Sequence, residues 1–159
     1  MIIQEKNELF RSDYIGKRRA LCLDYGDKRI GVAVSDIGWD IASPLIVLES
    51  NGVFQKLSKI LNDYSIGIII VGAPHSLSGA NSGKQYEKVK KFTEKLEKIE
   101  NNIDILYWDE RLSSVAATRI LVEAEMTHSN KKKNIDKIAA SFILQGFLDY
   151  MRYKDKPLI

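Results

Sequence analysis

The chain has 159 residues, of which 45% are hydrophobic and 28% charged, enough for one globular domain with a single core. Its net charge of +3 and pI near 8.9 permit a polyanionic partner without requiring one. The single cysteine, Cys22, excludes a disulfide framework and a cysteine-based zinc site, so we expect a reducing compartment. No stretch has the length of a membrane span or a signal-peptide core, so we expect a cytoplasmic protein.

The first half of the chain predicts a β-meander followed by a helix. We expect residues 1–19, which end in a basic cluster, to form a loosely attached N-terminal extension. The runs ALCLDYG (20–26) and IGVAVSD (30–36) predict a β-hairpin, and residues 44–48 add a third, shorter strand. Apolar residues spaced by three and four then predict a helix; they are Phe54, Leu57, Ile60, Leu61 and Tyr64.

The second half alternates strands and helices. GIIIVG (67–72) is typical of a strand buried on both faces, and DILYWDE (104–110) predicts another strand. Between them lie a Gly/Ser-rich loop and a helix whose polar positions mix lysines with glutamates. Two more helices are predicted, from Ser113 to about residue 125 and from Ile135 to about residue 153.

This order of elements predicts an α/β fold in one domain over residues 20–153, with 154–159 as a C-terminal tail. The sheet is expected to be mixed and five-stranded, with three antiparallel strands followed by parallel ones, and to be flanked by helices.

Asp24 ends a strand whose neighbours are apolar, although Asp is a poor strand former. It either caps the hairpin turn, as Asp often does before Gly, or belongs to a functional site. Gly26 and Gly31 favour the site, because glycine lets a metal or phosphate approach the backbone closely.

Two further acidic positions lie at element ends. Asp109 and Glu110 are successive strand residues, so at most one of them can share a site. Asp136 follows Asn134, the expected N-cap, in a first helical turn where an acid gains about 0.3–1 kcal/mol from the helix dipole. Alternatively, Ala139 and Ala140 on the same helical face would let this helix end approach the sheet with a carboxylate at the contact.

Clustered carboxylates repel one another unless a cation lies among them. An all-oxygen ligand set selects Mg²⁺ or Mn²⁺, and two such ions about 3.5–4 Å apart would activate a water and stabilise the leaving oxygen of a phosphodiester. The two histidines, His75 and His128, are too few and too scattered for a histidine-based metal site.

Basic residues accompany each candidate acid. Two follow Asp24 in the predicted turn, one follows Glu110, and a run of three precedes Asp136 in what we expect to be a loop. Such a run is usually only solvated, but beside an acidic site it would lie where a phosphate backbone passes. His75 lies in the loop after GIIIVG, where either a ligand contact or an ordinary surface loop is expected. The candidate substrate-binding residues are Lys28, Arg29, His75, Arg111, Lys131, Lys132 and Lys133.

Four sequence blocks spread over residues 20 to 150 resemble the YqgF family. They are LCLDYGDKRIGVAVSD (21–36), IIIVGAPHSLSGANSG (68–83), DERLSSVAA (109–117) and NIDKIAASFILQGFLD (134–149). The resemblance implies an RNase H-like fold and a metal-dependent nuclease, of a family described both as Holliday-junction resolvases and as nucleases that process the 5′ end of pre-16S rRNA.

The resemblance also implies that Asp24, Glu110 and Asp136 are the metal-binding catalytic acids, with Glu110 preferred over Asp109. The second block departs from the family pattern. The family usually has Leu-Pro and Met-Asp-Gly where this chain has Ala73-Pro74 and 77–79 reading Leu-Ser-Gly. The missing Asp puts substrate contacts by this loop in doubt and leaves the three acids untouched.

Several functions compete on these residues. The first candidate function is cleavage of precursor rRNA, either alone or within a ribosomal precursor. The chain would act on it as an endonuclease or as an exonuclease. A resolvase of branched DNA would have identical chemistry and should be a symmetric homodimer, whereas a monomer favours RNA. The actin-like ATPases need two such domains, and 159 residues supply one, so this class of protein is set aside. A non-catalytic nucleic-acid-binding or ribosome-assembly factor predicts that Asp24→Asn leaves function in cells intact.

Overall fold

The computed structural model describes residues 2–3, 9–73, 83–109 and 131–155. The strands of this part are β1 (Ile2–Ile3), β2 (Arg19–Tyr25), β3 (Arg29–Ser35), β4 (Ala42–Glu49), β5 (Ile66–Ala73) and β6 (Asp104–Asp109). Its helices are α1 (Val53–Asp63), α2 (Gly83–Ile99) and α3 (Lys131–Lys154), with a 3₁₀ turn at Arg11–Asp13. The predicted helix over 113–125 lies outside the described residues.

All six strands belong to one sheet in the order β1-β6-β5-β2-β3-β4. β1, β6, β5 and β2 are mutually parallel, and β3 runs antiparallel to both of its neighbours, β2 and β4. The predicted antiparallel meander followed by parallel strands is therefore confirmed. The apolar run in β5 lies between two parallel neighbours, and its residues Ile68, Ile69 and Ile70 are fully buried, as the sequence predicts.

Helices cover both faces of the sheet, and strand alternation divides β2 between them. Ala20 and Cys22 pack in one cluster with α3, through Ala140, Ile143 and Phe147 among others. Leu21 and Leu23 pack in the other cluster with apolar residues of α1 and α2. The even-numbered residues of β2 thus face α3, and this assignment places Asp24 on the α3 side.

The described parts of the N-terminal segment are packed against the domain, which differs from the loose attachment expected. Leu9 and Tyr14 are buried in the α3-side core, and the Tyr14 hydroxyl donates a 2.6 Å hydrogen bond to Asp104. Ile2–Ile3 adds a two-residue strand beside β6. Such short contacts leave no periodic pattern in the sequence, so periodicity could not predict them.

Helix α3 begins at Lys131, four residues before the predicted start at Ile135. The prediction that Asn134 is the N-cap is wrong, and the run 131–133 belongs to the first turn of the helix instead of a loop. Lysine is a good helix former, and the apolar periodicity that set the predicted boundary does not extend into this polar turn. No helix in the part of the chain that the structure describes has both the length and the apolar character needed to cross a membrane.

Candidate active site

Asp24 lies one residue before the end of β2, and only 7% of its surface is exposed. It is one of three buried polar or charged residues recorded among the described residues, the others being Ser35 and Thr93. A carboxylate is costly to bury, so its position at the end of an otherwise apolar strand requires compensating interactions. The alternation of β2 directs it toward α3, beyond Cys22 on the same face.

Gly31 explains how α3 reaches Asp24. The two residues are directly paired across the β2–β3 ladder, so they occupy the same face of the sheet. A Cβ atom on Gly31 would lie 2.0 Å from the carbonyl oxygen of Asp136 and 2.9 Å from the backbone nitrogen of Lys137. Any side chain here would displace the helix. The absence of one lets the α3 backbone rest on β3 beside Asp24.

The roles expected of the two glycines are therefore corrected. Gly31 admits the backbone of a helix, where the sequence suggested the approach of a metal or phosphate. Gly26 serves the hairpin turn, because a Cβ atom there would lie 2.6 Å from the carbonyl oxygen of Arg29. Both positions require glycine for packing of protein against protein.

Asp136 is the sixth residue of α3, and the first turn of that helix contains no acidic residue. The helix-dipole explanation for Asp136 is consequently lost, since that effect is confined to the terminal turn. The close-approach explanation is the one that the structure favours. Ala139 and Ala140 are buried in the α3-side core, and the Asp136 backbone lies against Gly31. The fold thus packs the backbone of Asp136 against the residue that pairs with Asp24, although the two acids are separated by 112 positions in the sequence.

The carboxyl ends of the parallel strands meet at the same edge as Asp24. Val71 of β5 pairs with Leu23, and Ala73 at the end of β5 pairs with Asp109 at the end of β6. Trp108 packs in the α3-side core, so strand alternation places Asp109 on the opposite face. Glu110 follows immediately in sequence and lies outside the described residues, as do His75 and Arg111.

Two basic residues of the β2–β3 hairpin, Lys28 and Arg29, form a basic rim next to Asp136. The Nε atom of Arg29 lies 3.6 Å from an Asp136 carboxylate oxygen, with about a third of the arginine side chain exposed. Lys28 is exposed beside it. The two line an open depression of about 570 Å³ together with Glu49, Ser50 and Asn51. Lys131, Lys132 and Lys133 have their backbone in α3, and their side chains lie outside the description.

The donor chemistry of the two acids fits a hard divalent cation. Carboxylate oxygens are the ligands that Mg²⁺ and Mn²⁺ prefer, and a buried carboxylate is stabilised by a cation. Within residues 2–3, 9–73, 83–109 and 131–155, no three His, Cys, Asp or Glu side chains gather as a metal-binding group. The three predicted ligands include Glu110, so the complete set extends beyond those residues.

Sequence reasoning missed a contact between α2 and this edge. Lys88 Nζ lies 3.1 Å from an Asp27 carboxylate oxygen at the tip of the β2–β3 hairpin. In the sequence the α2 lysines are mixed with glutamates, and no function was predicted for them. The signal that could have singled them out is their spacing by three and four residues, which places several of them on one side of the helix.

The chain matches known proteins over most of its length. A family model described as a Holliday junction resolvase, RuvX, matches residues 18–150. A Thermoanaerobacter pseudethanolicus protein named "Putative pre-16S rRNA nuclease" is 41% identical over 140 residues, 86% of this chain and 99% of that protein. A protein of the same name from Desulforamulus reducens is 46% identical over 136 residues, 82% of this chain and 96% of that protein.

Two solved structures resemble the fold. RuvC of Thermus thermophilus in complex with a Holliday junction substrate superposes with a TM-score of 0.56 at 10% identity, covering 89% of this chain and 99% of that one. A second Thermus thermophilus RuvC structure gives a TM-score of 0.52 at 10% identity, covering 88% and 99%. At this identity the likeness concerns the fold alone, and it confirms the RNase H-like fold that the sequence predicts.

Proposed function

This chain belongs to the RuvX Holliday junction resolvase family, and we propose that it is a metal-dependent nuclease that hydrolyses phosphodiesters with Asp24, Glu110 and Asp136. The observation that carries the proposal is the Gly31 contact, which holds the α3 backbone at Asp136 against the strand pair that contains Asp24. This packing supports the proposal because it places the Asp136 backbone beside the residue that pairs with Asp24.

Glu110 completes the proposed ligand set. β6 ends at Asp109, at the sheet edge where β2 also ends. Trp108 faces α3 and Asp109 faces away, so regular alternation supports the residue after Asp109, and not Asp109 itself, as the third acid. The family resemblance selects the same residue.

The proposed cofactor is Mg²⁺ or Mn²⁺, held by these carboxylates. When bound, such an ion supplies a nucleophile at neutral pH and stabilises charge on the leaving oxygen. The chain's own residues bind and orient: Asp24 and Asp136 are fixed by the sheet and by α3. Arg29, already close to Asp136, is placed to hold the scissile backbone, and Lys28 extends the positive charge along it.

The proposed substrate is precursor 16S rRNA, cut at its 5′ end during ribosome biogenesis. The names of the relatives support this choice. The second candidate, resolution of branched DNA, is supported by the description of the family model. The two share one chemistry on one fold, so the substrate itself must separate them.

The experiment is a cleavage assay on precursor 16S RNA and on a four-way DNA junction, each with Mg²⁺, Mn²⁺ or EDTA. We expect cleavage of the RNA with either metal, none with EDTA, and none with Asp24→Asn. Asp36→Asn is the matched control, since it changes another acid, in the loop that follows β3 at the opposite end from Arg29. Cleavage that survives EDTA or Asp24→Asn contradicts the proposal.

Sizing of the active protein separates the two substrates further. A resolvase must place two active sites on two strands and is expected to be a symmetric dimer, whereas RNA processing works in a monomer. Preferential cleavage of the junction by a dimer would favour the second candidate. Full complementation of a deletion strain by Asp24→Asn would favour a non-catalytic assembly factor over either nuclease.

A further inference from the structure

The lysines of α2 are segregated to one side of the helix. At about 100° per residue, Lys84, Lys88, Lys91, Lys95 and Lys98 fall within an arc of about 80°, which contains no glutamate. All five are exposed. We call them the lysine flank. Another arc of about 80° contains Glu87, Glu94 and Glu97, together with Lys90.

Contacts fix the direction in which each side of α2 faces. From the lysine flank, Lys88 reaches Asp27 in the β2–β3 turn, and the Lys95 ammonium lies 5.0 Å from the centre of the Phe54 ring in α1. From the other side, Glu97 accepts a 3.2 Å hydrogen bond from the backbone N–H of Ile2 in β1. The lysine flank therefore faces the hairpin and α1, and the glutamates face the β6–β1 edge.

The lysine flank is continuous with the basic rim of the candidate active site. Lys88 is joined to Asp27, which is followed in the chain by Lys28 and Arg29. Arg29 in turn lies beside Asp136. Both side chains of the Lys88–Asp27 pair are more than half exposed, so the ion pair contributes little to stability. Lys88 can therefore exchange this contact for one with a phosphate.

We propose that the lysine flank binds the phosphodiester backbone of a nucleic-acid strand that continues past the active site over the hairpin tip. The inference rests on the proposed function in taking nucleic acid as the ligand. From Lys84 to Lys98 the flank is about 21 Å long, at 1.5 Å per residue. That length matches about six phosphates of one duplex strand at 3.4 Å each. Flexible ammonium groups in a row contact phosphates without reading sequence, so the flank sets affinity and direction of the strand.

The test uses two triple variants of equal charge change in the full-length protein. Lys84→Gln, Lys91→Gln and Lys98→Gln remove three exposed lysines of the flank other than Lys88 and Lys95, whose contacts are given above. Lys56→Gln, Lys59→Gln and Lys90→Gln remove three exposed lysines elsewhere and serve as the control. Binding of a fluorescent single-stranded RNA of about 20 nucleotides, long enough to extend beyond the about six phosphates that the flank spans, is measured with Ca²⁺ at several salt concentrations.

We expect the flank variant to bind about tenfold or more weakly, with the slope of log affinity against log salt reduced by about 2, or about 0.7 for each lost phosphate contact. The control should stay within about twofold of the wild type, and kcat at saturating RNA should be unchanged in both. Equal affinities and slopes for the two triple variants would overturn the inference.

Cleavage of the same RNA with Mn²⁺ separates this inference from the proposed function. Lysine-dependent binding without any cleavage by the wild type would uphold the nucleic-acid surface and refute the nuclease. Cleavage by the wild type with indistinguishable binding by both variants would do the reverse. Thermal melting of each variant shows whether it is folded, and Lys84→Gln with Lys91→Gln alone provides a milder flank variant, which should give about two thirds of the slope change.

Discussion

The two ends of strand β3 each hold a pair of acids, and the pairs are held in different ways. At the far end, an Asp36 oxygen accepts hydrogen bonds of 2.7 and 2.9 Å from the backbone N–H groups of Asp40 and Ile41. Asp40 in turn lies 3.1 Å from Arg152 and 3.6 Å from Arg11. These acids fasten a loop to its surroundings.

At the near end, the packing of a helix backbone on Gly31 holds the Asp136 backbone beside the strand pair that contains Asp24. Among its contacts, Asp136 has a partly exposed arginine, Arg29, at 3.6 Å. The comparison teaches that Asp36 and Asp40 are held by hydrogen bonds and ion pairs that close a loop. Asp24 and Asp136 are instead positioned by the packing of a helix on a strand, which is how a preorganised site is built.

The largest effect should come from removing one charge at the near end. Asp24→Asn is expected to lower kcat about 10³-fold, because metal-assisted charge stabilisation is worth several kcal/mol and each 1.36 kcal/mol is a factor of ten. Single-turnover cleavage of precursor RNA measures it. Asp36→Asn is the control and should cleave at the wild-type rate per folded molecule. An equal loss of kcat in Asp24→Asn and Asp36→Asn would show that the acids at the two ends of β3 do not differ in function.

The next effect concerns the contact that assembles the near end. Gly31→Ala should destabilise the protein by about 1–3 kcal/mol or more, because its methyl group would overlap the Asp136 carbonyl and force α3 away. Urea denaturation followed by circular dichroism measures the change. Gly83→Ala is the matched control, since a Cβ there meets no atom of the described residues within 4 Å. A Gly31→Ala protein as stable as the control would show that α3 does not press on β3.

The stability that Asp36 contributes at the far end of β3 should depend on pH. Partial burial raises the pKa of the Asp36 carboxyl, but hydrogen bonds from Ile41 and Asp40 outweigh it and lower that pKa below its ordinary value. The stabilisation is therefore present above the unfolded pKa of about 3.9 and is lost as pH falls through the folded value.

Asp36→Ala is accordingly expected to lose about 1 kcal/mol at neutral pH, or about 2–4 °C in Tm for a domain of this size. The difference from the wild type should shrink as pH falls below about 4. Thermal melts over a pH series check it. A difference that is constant with pH would show that the carboxylate charge at the far end is not what holds the loop.

The smallest effect is expected at Arg29. Arg29→Gln should change stability by less than about 1 kcal/mol, because the ion pair with Asp136 is partly exposed and long. It should raise KM for RNA and reduce its salt dependence while leaving kcat nearly unchanged. Steady-state kinetics at two salt concentrations measure this. A large fall in kcat with unchanged KM would move Arg29 from substrate binding to the chemical step.

The strands and the placement of the first acid were predictable from the sequence because they depend on local patterns. Alternating and continuous apolar runs defined β2, β3 and β5, and an Asp within such a run identified Asp24. The reason for Gly31 was not predictable, because its partner is a helix backbone more than a hundred residues away. The start of α3 was missed for another reason: its first turn is polar and carries no apolar period.

The lysine flank was predictable from the sequence only in part. Its spacing is visible in the sequence, but its continuity with the active site depends on the Lys88–Asp27 contact between separate elements. Composition alone, with a net charge of +3, gave little indication of it.

The most direct test of the account is Mn²⁺ binding to the full-length protein, followed by electron paramagnetic resonance, in the wild type, Asp24→Asn, Asp136→Asn and Asp36→Asn. If Asp24 and Asp136 share one cation site, either substitution should weaken Mn²⁺ binding by about tenfold or more, while Asp36→Asn should bind as the wild type does. Undiminished Mn²⁺ affinity in both Asp24→Asn and Asp136→Asn would contradict the account.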